Sequence, residues 1–120
     1  MATLAQPSSE AFVRHDPAQV ETVGEGIRRE MLGYGPELMI VKVLFDKGAV
    51  GEVHAHRHSQ SSYVESGRFL VEIDGEKQEL GAGDCFYVAP HKDHGAVCLE
   101  AGVLIDTFSP LREDFLGEGS

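Results

Sequence analysis

The sequence predicts an all-β fold, a small sandwich or barrel built from short strands. About eight segments rich in β-branched, aliphatic or aromatic residues follow one another, and turn signals separate them at regular spacing. No segment has the apolar period of an amphipathic helix, and only the short tail from Arg112 is a helical candidate. The 14 glycines suit a chain with many tight turns. We therefore expect one domain over residues 1–120.

The N-terminal third predicts two or three strands. Residues 1–10 have little to bury, so we expect a loose arm there. Residues 11–13 predict a short strand, and residues 26–32 predict another that ends in a glycine-proline turn at 33–36. Residues 37–46 are rich in β-branched and aliphatic side chains, and they give the firmest early strand prediction.

The rest of the chain predicts a series of strands around two clusters of histidines. A turn at Lys47-Gly48 leads into a strand that contains His54 and His56, and Asp74-Gly75 is the dipeptide favoured in two-residue hairpins. The further strands are predicted at residues 61–65, 68–74, 76–80, 85–89, 95–100 and 103–108. With the firm strand at 37–46, they predict a barrel core over about residues 38–109.

The first histidine cluster has the spacing of a metal site. Side chains two residues apart on a strand share a face, so His54 and His56 could direct two ring nitrogens at one point. Gln60 has the same parity and offers a carbonyl oxygen. By itself, a short histidine-rich run favours an exposed loop. A second cluster that contains His94, together with the glycine spacing, favours the metal site instead.

The spacing around these histidines resembles the two motifs of the cupin superfamily. From Gly48, five residues precede His54, and His56, Gln60 and Gly67 follow after one, three and six residues. Cupins usually have glutamate at the position of Gln60. The second motif runs from Gly83 to His94, with Ala89 at its proline position and His91 at its glycine position. Fifteen residues separate the two motifs, as in the shortest cupins.

The resemblance implies a single jelly-roll β-barrel and a divalent metal ion held by four residues, His54, His56, Gln60 and His94. Three imidazoles and an amide oxygen suit nickel, zinc, iron or manganese, and the choice among them stays open. Without a carboxylate ligand, the ion would keep its full charge and favour an anionic ligand. We expect His58 to be exposed or to support a ligand from behind, and His91 to be solvated. His15 gives no signal.

The C-terminal stretch DTFSPLREDFL resembles the signature of small cupins assigned to pectin and alginate breakdown. Those cupins open the ring of 4,5-unsaturated uronates to give 5-keto-4-deoxyuronates. The resemblance implies that Asp106 moves protons, Phe108 packs against the sugar and Arg112 binds its carboxylate. Alternatively, Asp106 lies on the outer face of its strand, and Arg112 is a surface base paired with Glu113 or Asp114. Two other functions stay open, a non-catalytic metal- and sugar-binding cupin and a metal-dependent dioxygenase.

Composition and charge limit the classes of binding partner that we expect. The formal net charge of −10 disfavours nucleic acid, and no apolar run is long enough to cross a bilayer. We expect a cytoplasmic protein that binds a small anionic sugar and forms a homodimer, as many cupins do. Cys85 and Cys98 predict buried free thiols rather than a disulfide, because the sequence shows no secretion signal.

Overall fold

Eight strands and two short 3₁₀ helices make up residues 7–116, the part of the chain that the computed structural model describes. The strands are β1 (Glu21–Gly24), β2 (Ile27–Gly35), β3 (Leu38–Phe45), β4 (Val50–His54), β5 (Ser59–Ile73), β6 (Glu76–Gly81), β7 (Cys85–Val88) and β8 (His94–Ser109). The 3₁₀ helices cover Pro17–Gln19 and Glu113–Leu116. These residues contain no α-helix, and the predicted all-β class is confirmed.

Strands β5 and β8 are the centre of the sheet. They pair antiparallel along most of their length, and the order of the sheet is β1-β2-β3-β8-β5-β6. Strand β4 adds to β8, and β7 adds to β5. One pair of strands therefore holds together the elements that contain His54, Gln60 and His94.

The predicted breaks within these two strands are wrong, since both strands continue through their glycines. The pairing of β5 with β8 shifts register near Gly67 and Gly102. Gly67 has φ +84°, and a Cβ at either glycine would collide with the backbone of the opposite strand. The glycines thus permit an irregular pairing without ending the strands. By contrast, the predicted Asp74-Gly75 hairpin turn is found between β5 and β6, where both residues have positive φ.

The core lies inside this curved sheet and follows strict alternation on β3. Met39, Val41, Val43 and Phe45 are buried there, and residues between them are more exposed. They pack with buried residues from β5 and β8, which are Val64, Phe69, Val71, Cys98, Leu104 and Phe108. This inner face is continuous with the cavity described below.

The N-terminal predictions need correction. Residues 11–13 form no strand and are exposed, whereas Glu21–Gly24 forms the edge strand β1, which the sequence did not predict. Strand β2 also runs through Gly35 instead of turning at Gly33, because Tyr34 and Gly35 still pair with β3. The predicted loose arm falls partly on residues 1–6, which lie outside the described residues.

A hydrogen-bonded contact between the exposed His15 and the buried Glu30 attaches the N-terminal segment to β2. Glu30 is buried, and it lies 2.8 and 2.9 Å from His15 Nδ1 through its two carboxylate oxygens. It also accepts a hydrogen bond from the backbone of Asp16 at 3.2 Å. Ser9 donates its backbone N–H to the carbonyl of Tyr34 at 2.9 Å. His15, for which we predicted no role, therefore fixes the path of this segment.

Both cysteines are free thiols as predicted, but only Cys98 is buried, and Cys85 is exposed. Across residues 7–116 no helix has the length and apolar character needed to span a membrane.

Candidate functional site

Three histidines converge where β4 meets β8. His54 ends β4 and pairs directly with His94, the first residue of β8, with ring centroids 4.4 Å apart. His56 follows in the next loop, and its ring centroid lies 4.8 Å from that of His94. One nitrogen from each ring lies within 4.8 Å of the others. The three side chains could hold a metal ion.

The loop, and not a shared strand face, brings His56 to the cluster. Strand β4 ends at His54, so the predicted alternation of His54 and His56 along one strand is wrong. The chain beyond His54 instead bends back before β5 begins at Ser59. His91 N–H donates to the carbonyl of His56 at 2.7 Å, which fixes the loop against the turn before β8.

Backbone carbonyls orient all three rings in the same way. Nδ1 of His54 lies 2.8 Å from the carbonyl of Glu52, and Nδ1 of His94 lies 3.0 Å from that of Lys92. His56 Nδ1 makes the same contact with His58 at 3.1 Å. An Nδ1–H that donates to a carbonyl leaves a lone pair on Nε2, which is the form that binds a metal.

Gln60 completes the set through a directed chain of hydrogen bonds. Ser62 Oγ lies 2.6 Å from Asp106 Oδ1 and donates its single proton to that carboxylate. It therefore accepts from Gln60 Nε2, at 2.9 Å. The amide is thus fixed with its oxygen toward the histidines, 3.0 Å from His56 Nε2.

The contact between Gln60 and His56 fits a bound cation. Both atoms present lone pairs when His56 is neutral and its proton is on Nδ1, where it bonds the carbonyl of His58, and two lone pairs at 3.0 Å repel unless a positive group lies with them. Burial and, next in size, the charge of Arg112 lower the pKa of His56 from 6.5 to about 4, so the ring carries a single proton at neutral pH. Burial likewise lowers the pKa of His94. A divalent ion matches this donor set.

His58 supports the cluster from behind. It is buried, so the expectation of an exposed side chain is wrong, while that of a supporting role agrees with its contacts. Its carbonyl accepts from His56, and its Nε2 lies 3.3 Å from Glu113 Oε1. Arg57 Nη2 donates to the same carboxylate at 2.8 and 3.1 Å. These bonds join the histidine loop to the C-terminal segment. As predicted, His91 is exposed.

A cavity of about 220 Å³ opens beside the histidines. Three of the four predicted ligands line it, along with Asp106, Phe108 and Arg112. Its remaining wall is mostly apolar and is formed by Val23, Ile27, Val43, Phe45, Gly51, Phe86, Gly95, Ala96, Leu104 and Phe115, with Arg29. A larger hollow of about 480 Å³, between Val71, Leu80 and Phe86, contains none of the predicted site residues.

Asp106 faces this cavity and not the outer surface. It lies on β8 opposite Ser62 on β5, and it is half-buried. Burial raises its pKa from 3.8 to about 6, although the hydrogen bond from Ser62 and the charge of Arg112 act in the opposite direction. Such a carboxyl group can accept and return a proton near neutral pH.

Arg112 both lines the cavity and pairs with Asp114, so its position fits each of the two alternatives given for it, the binding residue and the ion-paired base. Its Nε and Nη2 donate to Asp114 Oδ1 and Oδ2 at 3.1 and 2.9 Å. Yet its side chain is only 11% exposed, and it lines the cavity. Its Cζ lies 5.1 Å from the ring centroid of Phe108 and 4.2 Å from that of Phe115. The guanidinium is thus held by an acidic partner and by aromatic rings at the same time.

Arg29 is a cavity residue that was not predicted from the sequence. It lies on β2, its side chain is 17% exposed, and its Cζ is 4.1 Å from the ring centroid of Phe115. Its Nε and Nη2 both donate to Glu21 Oε1, at 3.2 and 2.8 Å. The sequence does contain a hint of this position. Arg29 is two residues from both Ile27 and Met31, so it shares their face of the strand.

Comparison with known proteins places the chain in a family. Residues 41–108, more than half of the sequence, match the family described as Cupin domain. The chain belongs to the cupin family. It is also similar to the pectin degradation protein KdgF of Dickeya dadantii (strain 3937), with 48% identity over 103 residues, 84% of this chain and 94% of that protein.

Solved structures agree with this placement. This cupin is similar to KdgF from Halomonas sp., with a TM-score of 0.82 and 44% identity over 89% of this chain and 99% of that one. It is also similar to an RmlC-like cupin from Shewanella frigidimarina NCIMB 400, with a TM-score of 0.84 and 58% identity over 90% and 97% of the two chains. The predicted cupin barrel is therefore confirmed.

Proposed function

We propose that this cupin opens the ring of 4,5-unsaturated uronate monosaccharides in a metal-dependent reaction that gives 5-keto-4-deoxyuronates. Its relatives include a protein named for pectin degradation, in which such monosaccharides arise. The observation that supports the proposal most strongly is the position of Asp106. This carboxylate reaches the candidate metal ligands through Ser62 and Gln60, and it shares one cavity with Arg112.

Four residues would hold the metal ion, His54, His56 and His94 through ring nitrogens and Gln60 through its amide oxygen. When bound, a nickel, zinc, iron or manganese ion would supply Lewis acidity toward a substrate oxygen. The chemistry of the donors fits all four ions. The remaining steps belong to residues of the chain.

Asp106 would move the proton that the reaction needs. It accepts the proton of the anomeric hydroxyl, and the electrons of that O–H bond form the C1 aldehyde while the bond from C1 to the ring oxygen breaks. The ring oxygen keeps the electron pair of that bond and becomes an enolate at C5. As the enolate collapses to the C5 ketone, Asp106 returns the proton to C4. Atoms and electrons balance, because the product is an isomer of the substrate. A pKa of about 6 suits both transfers.

Two neighbours would position the sugar. Arg112 offers its guanidinium to the carboxylate at C6, the group that a protein of charge −10 must otherwise repel. Phe108 is buried, and its ring lies 5.8 Å from that of His56 and 5.5 Å from that of Phe115. It would pack against an apolar face of the sugar and exclude water from the proton transfer.

The test follows the ultraviolet absorbance of the C4=C5 bond in a lyase digest of pectate or alginate. Metal-loaded protein should speed its decay, equally with and without dioxygen, since no oxidation is involved. Asp106→Asn should reduce turnover by roughly 10²–10⁴-fold while binding of D-galacturonate stays within a few-fold. If the wild-type protein leaves the decay unchanged, the ring-opening proposal is wrong. Binding without turnover would instead favour the non-catalytic sugar-binding cupin, and a requirement for dioxygen would favour the dioxygenase.

Two expectations from the sequence accompany this function. We expect the enzyme to act in the cytoplasm, where monosaccharides would arrive after import, and to form a homodimer. Light scattering on the purified chain measures the second of these directly.

A further inference from the structure

We propose that Arg29 is a second carboxylate-binding residue of the cavity, and that with Arg112 it selects a sugar acid over the matching neutral sugar. The inference rests in part on the proposed function, because it names the group that recognises the charge of the same substrate class. It concerns binding only, and it can be tested without turnover.

The two guanidinium groups lie against one aromatic ring. Arg29 Cζ is 4.1 Å and Arg112 Cζ is 4.2 Å from the ring centroid of Phe115. The arginines come from distant parts of the chain, β2 and the segment after β8, and the fold brings both to the same cavity. Their side chains are only 17% and 11% exposed. Little water therefore screens their charges from an anion inside the cavity, although each guanidinium also pairs with an acidic side chain outside it.

Each arginine also keeps a donor for a ligand. Arg29 uses Nε and Nη2 on Glu21, and Arg112 uses the same two nitrogens on Asp114. Within residues 7–116, neither Nη1 makes a hydrogen bond. The acidic partners have side chains 53% and 57% exposed and do not line the cavity. They restrain each guanidinium from outside and leave Nη1 for a carboxylate oxygen.

The charges that line the cavity are unequal. Among the described residues, Asp106 is the single acidic side chain in its lining, against Arg29 and Arg112. One positive charge therefore has no counterpart inside the cavity, even before a metal ion is counted. A carboxylate with two oxygens supplies that counterpart and can accept from both arginines. A neutral sugar of the same shape supplies none.

A purely structural role for Arg29 makes a different prediction. If the residue only packs on Phe115, its loss should weaken binding of charged and neutral sugars alike. If it binds the carboxylate, the loss should be confined to the charged sugar. The comparison of two ligands of one shape therefore separates the two roles.

The experiment is calorimetric titration of the metal-loaded full chain with D-galacturonate, which has no C4=C5 bond to react, and with D-galactose. Arg29→Gln should weaken galacturonate binding by at least about 10-fold and leave galactose binding within about 2-fold. Arg29→Lys retains the charge and much of the packing, so its loss should be smaller, about 3-fold. Arg28→Gln is the matched control, because the neighbouring Arg28 does not line the cavity and faces Asp46 at 3.6 Å. It should change neither affinity.

Several results would overturn the inference. These are unchanged galacturonate binding in Arg29→Gln, equal losses for both sugars, an equal effect of Arg28→Gln, or no galacturonate binding by the wild-type protein. The proposed function is judged separately. Binding of galacturonate that depends on Arg29, without any acceleration of absorbance decay, would refute ring opening and support this inference. Accelerated absorbance decay, together with unchanged galacturonate affinity in Arg29→Gln, would support ring opening and refute this inference.

Discussion

The two ends of the cavity are held in place in different ways. The histidine end consists of His54, His56, Gln60 and His94, and its three rings are oriented by backbone carbonyls. The arginine end consists of Arg29, Arg112 and Phe115, and its guanidinium groups are oriented by the exposed side chains of Glu21 and Asp114. Phe108 contacts both ends.

This difference matches two tasks. A metal ion needs donors at fixed distances and angles, and backbone carbonyls within or next to strands move little. A substrate carboxylate arrives and leaves, so its partners need charge and some freedom of rotation. Exposed ion pairs, which are worth little individually, permit that freedom. Under the proposed function, the histidine end would determine the chemistry, whereas the arginine end would determine which charge is admitted.

Loss of a ligand from the histidine end should have the greatest effect. His94→Ala removes the buried ring that lies 4.4 and 4.8 Å from the other two. Affinity for nickel or zinc should fall by at least about 100-fold, since even the outer partners of metal ligands are worth 10–100-fold. Metal titration by calorimetry measures this. His91→Asn is the control, because His91 is exposed and asparagine tolerates its φ of +68°. Equal metal affinity in His94→Ala would refute the proposed metal site.

Asp106 lies between the two ends, and its burial should cost stability. Its pKa is raised from 3.8 to about 6, so the folded state prefers the protonated form. The stabilisation from this preference is complete below pH 3.8 and is lost as pH rises through 6. The shift corresponds to about 3 kcal/mol, and the partial exposure of the side chain reduces this cost. At pH 7 the metal-free Asp106→Asn variant should therefore be more stable than wild type by about 2 kcal/mol.

Denaturant unfolding across pH 3.5–7.5 measures this gain, which should shrink toward zero in acid. Asp46→Asn, which removes a carboxylate from the outside of the barrel, should give no comparable gain. A variant that is less stable than wild type at pH 7 would contradict the assigned burial cost.

Loosening the connection between the two ends should have the smallest effect. Glu113 joins the C-terminal segment to Arg57 and His58, and Glu113→Gln weakens both contacts. Affinity for galacturonate should fall by about 2-fold, the scale of an exposed ion pair, while metal affinity stays unchanged. Glu100→Gln, which alters an exposed pair with Arg68 elsewhere, is the control. A loss of metal affinity in Glu113→Gln would show that the two ends are not independent.

Local patterns predicted much of the fold and part of the candidate site. Strand spacing gave the all-β class, and Asp74-Gly75 gave a hairpin turn, because both depend on neighbouring residues. The spacing of His54, His56 and His94 also pointed to a cluster, although a loop and not a strand brings His56 into it.

Long-range contacts explain what the sequence did not predict. The orientation of Gln60 depends on Ser62 and on Asp106, 44 residues further along the chain. Arg29 and Phe115 meet at the cavity although 86 positions separate them, and the segment that contains Phe115 has no periodic pattern. The continuity of β5 through Gly67 likewise depends on the partner strand, since a glycine reads locally as a break.

The 16-residue strand β8 begins with His94 and contains both Asp106 and Phe108 near its other end. It pairs with β3, β4 and β5, segments that lie far from it in sequence. Such non-local pairings form late and together in a small domain, and they are lost together. Loss of the histidine cluster on heating should therefore coincide with global melting, because release of this strand would remove His94 and Asp106 together.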